Sequence, residues 1–300
     1  MSPAGLFNFI KENPSNEQLQ AIKNIGFGGL LHLQTDSIPG QLAYWLASSF
    51  DPYKSSLMDE HLPIQYIDIH IALGIPIGPR VVNEAVHNDK SEEFSHQSKD
   101  ILAKMKLQRD EGGDFKRNFI VYIVSTFLGG VKSSIVSLKI LKTLGNIDDI
   151  PLYNWCEFTR KKLVENVILW QKEELRLESG KENVFKGQIM VLVYIYLDRV
   201  VFKSRTVPRT FPTVSSSSKE SINDRIKEEK KFTKTFGKGF VDCRMIIEEE
   251  NADDKPTSLS HHEPEENEKA KMCVEKLVLA TKKLASSFEE FKYAANEAIH

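Results

Sequence analysis

Residues 24–79 read NIGFGGLLHLQTDSIPGQLAYWLASSFDPYKSSLMDEHLPIQYIDIHIALGIPIGP, and their punctuation decides the fold. Ser15 followed by Gln18 has the spacing of a capping box, and Gly26 stands where a C′ glycine belongs, so a short helix with Leu19 and Ile22 on its apolar side precedes the stretch. Gly28 and Gly29 then predict a tight turn that uses positive φ; a phosphate-cradling loop would need a Lys-Ser/Thr pair after them, and none follows. Pro39 opens a helix to about Ser49, with Ser37 as its cap and Leu42, Trp45 and Leu46 on one face. Trp45 is read there as a core anchor. Phe50-Asp51-Pro52 ends that helix, since the residue before proline is pushed out of the α region.

Segments 55–58 and 62–65 flank Asp59-Glu60-His61 as a small hairpin. A helix from about Tyr66 carries Ile67, Ile71 and Leu73 and stops at Gly74; Pro76 and Pro79 hold the exit extended. Further helices are expected over 100–109, over 115–128 with Asp114 as cap, over 134–144, from Asn154 to Leu175, and over 185–202. Phe119–Leu128 is apolar nearly all round, which marks a buried helix, and Trp155, Phe158, Leu163, Val167 and Trp170 form the inward stripe of the long one. Asp198-Arg199 reads as a structural ion pair.

The net charge of −2 exerts no global pull on nucleic acid or acidic lipid. Three cysteines, widely spaced and odd in number, argue against a disulfide framework and for a reducing compartment. The opening MSPAGLFNFIKENPSNE lacks a basic n-region, so no signal peptide is expected, and no apolar run reaches the ~20 residues of a membrane span. His87, Asp89, Glu92, Glu93 and His96 do not share a helix face, and His261-His262 has no partners, so no metal is expected. Cys156 is read as a buried structural thiol beside Trp155, without a local base to activate it.

After Phe202 the composition shifts. Residues 203–238 hold ten Lys/Arg against four Asp/Glu, and 248–268 hold nine acids against one Lys. Ser215–Ser218 and the prolines at 208 and 212 read as linker, Ser218 or Ser221 as the cap of a charged helix, and the acidic run as disordered. Lys227, Lys230, Lys231 and Lys234 are candidate interaction residues, for nucleic acid or as an import signal. Val274, Leu277, Thr281, Leu284, Phe288, Phe291, Ala295 and Ala298 alternate spacings of three and four, the pattern of a coiled coil. Leu277, Leu284, Phe288 and Phe291 are therefore candidates for association with a protein partner or a second copy.

The order IGFGGLLHL (25–33), IPGQLAYWLASSFDP (38–52), YIDIHIALGIPIG (66–78), DFKRNFIVYIVSTFL (114–128), YNWCEF (153–158) and FKGQIMVLVYIYLDRVV (185–201) resembles the plant mobile domain, the helical module of plant transposon-derived proteins. Relatives of that kind carry an "aminotransferase-like" label or precede a SUMO-type cysteine protease domain. Where their pattern has an acidic-Val step before a Gly-Leu-Pro-x-Gly turn, this chain keeps Asp68 and Gly74-Ile75-Pro76-Ile77-Gly78. The resemblance implies a nuclear, mostly helical module without an established reaction. No lysine here has a context suited to a pyridoxal-phosphate Schiff base, so no cofactor is expected.

The expected fold is mostly α: an N-terminal extension (1–14), one helical domain with a minor hairpin (15–202), a basic then acidic linker (203–268), and an amphipathic terminal helix (269–298). The expected function is a non-enzymatic nuclear module binding protein or chromatin. The alternatives are an enzyme built on Cys156, or on His70 with Asp68, and a nucleic-acid-binding protein using 203–238. Gly26, Gly28, Gly29, Trp45, Pro52, Asp68, Gly74, Pro76 and Trp155 are the structural motif positions.

Overall fold

Glycine and proline set the element boundaries where the sequence places them. The computed structural model describes residues 3–12, 14–84, 97–108, 112–129, 140–141, 143–176, 185 and 188–245. The chain is mostly helical: α1 (Ala4–Lys11), α2 (Asn16–Asn24), α3 (Gly40–Ser49), α4 (Tyr66–Leu73), α5 (Ser98–Leu107), α6 (Gly113–Ile123), α7 (Trp155–Glu174), α8 (Ile189–Arg199) and α9 (Lys219–Thr233). Two small antiparallel pairs accompany them, β1 (Ser56–Leu57) with β2 (Leu62–Pro63) and β3 (Val200–Val201) with β4 (Phe240–Val241). Among the described residues no helix is long and apolar enough to cross a membrane.

The capping box is formed: Ser15 Oγ accepts from Gln18 N at 3.1 Å, and Gln18 Oε1 accepts from Ser15 N at 2.8 Å. Gly74 closes α4 in the left-handed region at φ 63°, and its amide reaches His70 O at 2.7 Å. Phe50 ends α3 in extended geometry before Pro52. The hairpin is in register at Leu57↔Leu62, with both leucines fully buried. The rigid exit 75–80 bridges to the start of α7 through Ile77↔Asn154 and Arg80↔Tyr153. Asn154 caps α7 by accepting from Glu157 N at 2.8 Å, and the buried Trp155 donates its indole N–H to Ile150 O at 2.8 Å.

α8 forms the middle of the core. All of its residues are buried, Asp198 and Arg199 included, and α3 and α4 pack directly on it. Full burial of side chains such as Leu192 and Val193 contributes about 1.5–3 kcal/mol each.

Several expectations fail. Residues 1–14 are not an appendage, because α1 buries Leu6 and Phe9 in the core. Ser37 makes no cap to α3, and Gly112 rather than Asp114 precedes α6. Gly28–His32 forms a 3-10 turn without positive φ at either glycine; Gly29 is needed because a Cβ there would lie 2.8 Å from Gly74 Cα. The helix expected to run to Leu128 changes to π geometry over Val124–Leu128. α8 stops at Arg199 and continues as a strand.

The largest correction is the region after Phe202. Residues 203–245 are not a linker: Val207, Val214, Ile222 and Phe236 enter the core, and β4 pairs with β3. Burial of α9's two charges is possible because they pair with each other. Arg225 Nη1 lies 3.1 Å from Glu229 Oε2, and Glu229 Oε1 accepts from Tyr196 Oη at 2.7 Å. The helix expected over 134–144, the polar stretch around His87 and His96, the acidic run and the terminal heptads fall wholly or largely outside the described residues.

Candidate functional site

Asp198 and Arg199 do not pair with each other. Arg199 Nη1 meets the buried Asp68 Oδ1 at 2.9 Å, while Arg209 Nε meets Asp198 Oδ1 at 2.8 Å. Arg244 completes the first set, with Nε 2.7 Å from Asp68 Oδ1 and Nη2 3.0 Å from Oδ2, and Gln65 N donates to Oδ2 at 2.7 Å. Arg205 joins Asp242 at 2.7 Å. The Asp68 and Asp198 carboxylates hold the Arg244 and Arg209 guanidinium groups above their usual range. Every charge in this cluster has a partner, so it is a clasp holding 198–209 and 242–244 to α4.

The residues of the catalytic alternative are likewise engaged. Cys156 is fully buried, its thiol donates to Ile75 O at 3.3 Å, and burial pushes its pKa upward. His70 Nδ1 lies 2.7 Å from the same carbonyl oxygen, which requires that nitrogen to carry the proton. Both groups face a shared acceptor, so the carbonyl favours the neutral thiol and not a thiolate. Among the described residues no group of three or more His, Cys, Asp and Glu is placed to hold a metal.

An open concave site lies elsewhere, where α3, the C-terminal end of α7, the start of α8 and the end of α9 converge. A cleft of about 900 Å³ is walled by Tyr44, Trp45, Trp170, Phe185 and Phe236. The rings support one another edge to face: Tyr44 on Trp170 at 5.5 Å between centroids, Trp170 on Phe185 at 5.9 Å, and Trp45 on Tyr196 at 5.6 Å. α9 delivers the far wall. Its Glu229 fixes the following turn by accepting from Gly237 N at 2.9 Å, and Gly237 at φ 76° lies flat against Trp45, where any Cβ would strike the indole.

The cleft is polar at both ends. At one, Tyr44 Oη donates to Glu174 Oε1 at 2.9 Å, and this bond holds the phenol above its usual pKa. Glu174 Oε2 is buried and has no hydrogen-bond partner. At the other, Lys230 donates to Gln41 and stands 5.4 Å from the Phe236 ring, with the exposed Lys234 beside it.

Of the four candidate lysines, Lys230 and Lys234 thus line the cleft. Lys227 pairs with Asp224 at 3.2 Å and Lys231 lies over Phe232, away from it. Trp45 is both core anchor and cleft wall. Leu277, Leu284, Phe288 and Phe291 lie outside the described residues. Sequence reasoning missed Tyr44 and Glu174, although each leaves a signal: Tyr44 lies off the buried stripe of α3, and Glu174 places an acid at a helix C-terminus, where the dipole disfavours it.

No curated protein matches the chain, and no solved structure does. A family model does match, over residues 1–193, ending inside α8. That family is described as a domain of unknown function, DUF8566, and the chain belongs to it.

Proposed function

We propose that this chain is a non-enzymatic nuclear interaction module of transposon origin that binds protein or chromatin partners. The aromatic cleft is the observation that carries the reading. It sets Tyr44, Trp45 and Trp170 around an open concavity, and aromatic rings in such a setting are the common anchors of protein recognition. The engagement of Cys156, His70 and Asp68 in structural bonds supports a non-enzymatic role. The nuclear address and the transposon origin rest on the resemblance to the plant mobile domain.

The test is proximity labelling in plant nuclei, comparing the full chain with a Tyr44→Ala/Lys234→Glu variant. A defined set of nuclear partners that the variant loses is the expected result. Partners that are identical for both would move recognition off the cleft, and the lack of any specific nuclear partner would overturn the module reading.

A second reading, nucleic-acid binding through 203–238, draws on one surface feature. Phe232 is half exposed and carries Lys203 and Lys231 over its ring, a base-stacking platform with cations beside it. Its mark would be an affinity for single-stranded nucleic acid that falls steeply with salt and is lost in Lys203→Glu/Lys231→Glu. A flat salt response would dismiss it.

A further inference from the structure

We propose that the cleft receives a peptide segment of a partner protein in which an apolar anchor separates a basic residue from an acidic one. This deepens the interaction-module reading and rests on it. The aromatic walls suit an apolar side chain, and the two ends fix its polarity. At one end the buried Glu174 Oε2 lacks a donor, whereas buried polar atoms are almost always hydrogen-bonded. A lysine or arginine of the ligand supplies that donor when the Glu174 carboxylate turns toward the cleft it lines, and the faces of Tyr44 and Trp170 beside it favour a cation. At the other end Lys230 and Lys234 offer two ammonium groups to a carboxylate.

The two ends are tied to α3 by Gln41, which accepts from Lys230, and by Tyr44, which donates to Glu174. These residues lie three apart, about one helical turn. The ligand's opposite charges therefore fall on either side of a short anchor, and a segment presented in reverse would set like charge against like at both ends.

The test pans a random dodecapeptide library on the full chain and measures a selected, fluorescein-labelled peptide by polarisation. Selected peptides are expected to share Lys or Arg, an aromatic or aliphatic residue, and Asp or Glu in one order. Glu174→Gln should weaken the peptide about tenfold, the effect of one charge-assisted hydrogen bond, and should scarcely affect a version with norleucine in place of its basic residue. Lys230→Glu/Lys234→Glu should weaken the parent similarly and spare a version with its acid neutralised. The single change Lys234→Glu, at an exposed position, repeats the measurement where folding is not at risk.

Peptides of mixed charge order, or peptides indifferent to all these changes, would overturn the cleft proposal and leave the interaction module standing. Failure to enrich any peptide would overturn it too. The module itself falls only if the full chain has no specific nuclear partner.

Discussion

Asp68 and Arg244 stand 176 positions apart in the chain and are joined by two hydrogen bonds, at 2.7 and 3.0 Å. Asp68 also holds Arg199, whose side chain is 8 % exposed against 31 % for Arg244. That difference ranks the partners. Asp68→Asn leaves Arg199 buried without its counter-charge and should cost about 3–5 kcal/mol. Arg244→Ala removes a group that water already screens and should cost about 1 kcal/mol or less. Equilibrium urea unfolding measures both, and equal losses would refute the ranking.

Residues 203–245 should prove necessary for folding. A chain ending at Phe202 loses Arg209 from Asp198, Arg244 from Asp68, β4 from β3, and Ile222 and Phe236 from the core. It should be soluble only with difficulty and bind a hydrophobic dye, whereas a chain ending at residue 245 should melt cooperatively. Calorimetry of the two decides the matter. A cooperative transition in the shorter chain would make α9 an accessory.

Gly29→Ala should destabilise by about 2 kcal/mol or more. The added methyl would meet the backbone of Leu73 and Gly74, which cannot yield as a side chain can. Gly40→Ala is the control, since nothing lies within 4 Å of a Cβ there. Thermal melts that rank the two equally would show that the α4 terminus shifts freely.

Alkaline pH should weaken the fold. Burial raises the pKa of Cys156 from its ordinary 9.0 and those of Tyr194 and Tyr196 from 10.0, and pushes Tyr122 up to about 12. Between these ordinary values and the raised ones the native state keeps protons that the unfolded chain releases. Stability is therefore intact below about pH 9 and falls as pH rises, by up to about 1.4 kcal/mol per pH unit for each group. Urea midpoints at pH 8 and pH 10.5 check this, and a flat profile would contradict the burial. In the native protein at pH 8, a thiol reagent should modify the exposed Cys243 and leave Cys156 untouched.

The N-terminal two thirds could be read from the sequence because its signals are local. Ser15 with Gln18, Gly74, Pro52 and Asn154 each act within a few residues, and each forms the boundary it implies. After Phe202 the charged helix and its Ser218 cap are legible for the same reason, but the burial of this region is not, because that burial is not local. Arg225 and Glu229 count as surface residues by composition, and only their pairing under Tyr196 lets α9 turn that face inward. The clasp escaped for the same reason, its carboxylates and guanidiniums being up to 176 residues apart. Half of the cleft is legible: Trp45 and Trp170 through core packing, Lys230 and Lys234 through charge. Their meeting with one another and with Tyr44 and Glu174 depends on how α3, α7 and α9 converge, which no single window of sequence encodes.

The late arrival of the strap from 203 to 245 has a consequence for biosynthesis. A ribosome adding about 5–20 residues per second needs on the order of 10–35 s to travel from Asp68 to Arg244. Throughout that interval Asp68 on α4 lacks Arg244, and Trp45 on α3 lacks the cover of Phe236 and Gly237 on a nascent chain. Folding therefore awaits the end of this stretch, and the growing polypeptide is a natural client for chaperones that shield apolar helices during translation.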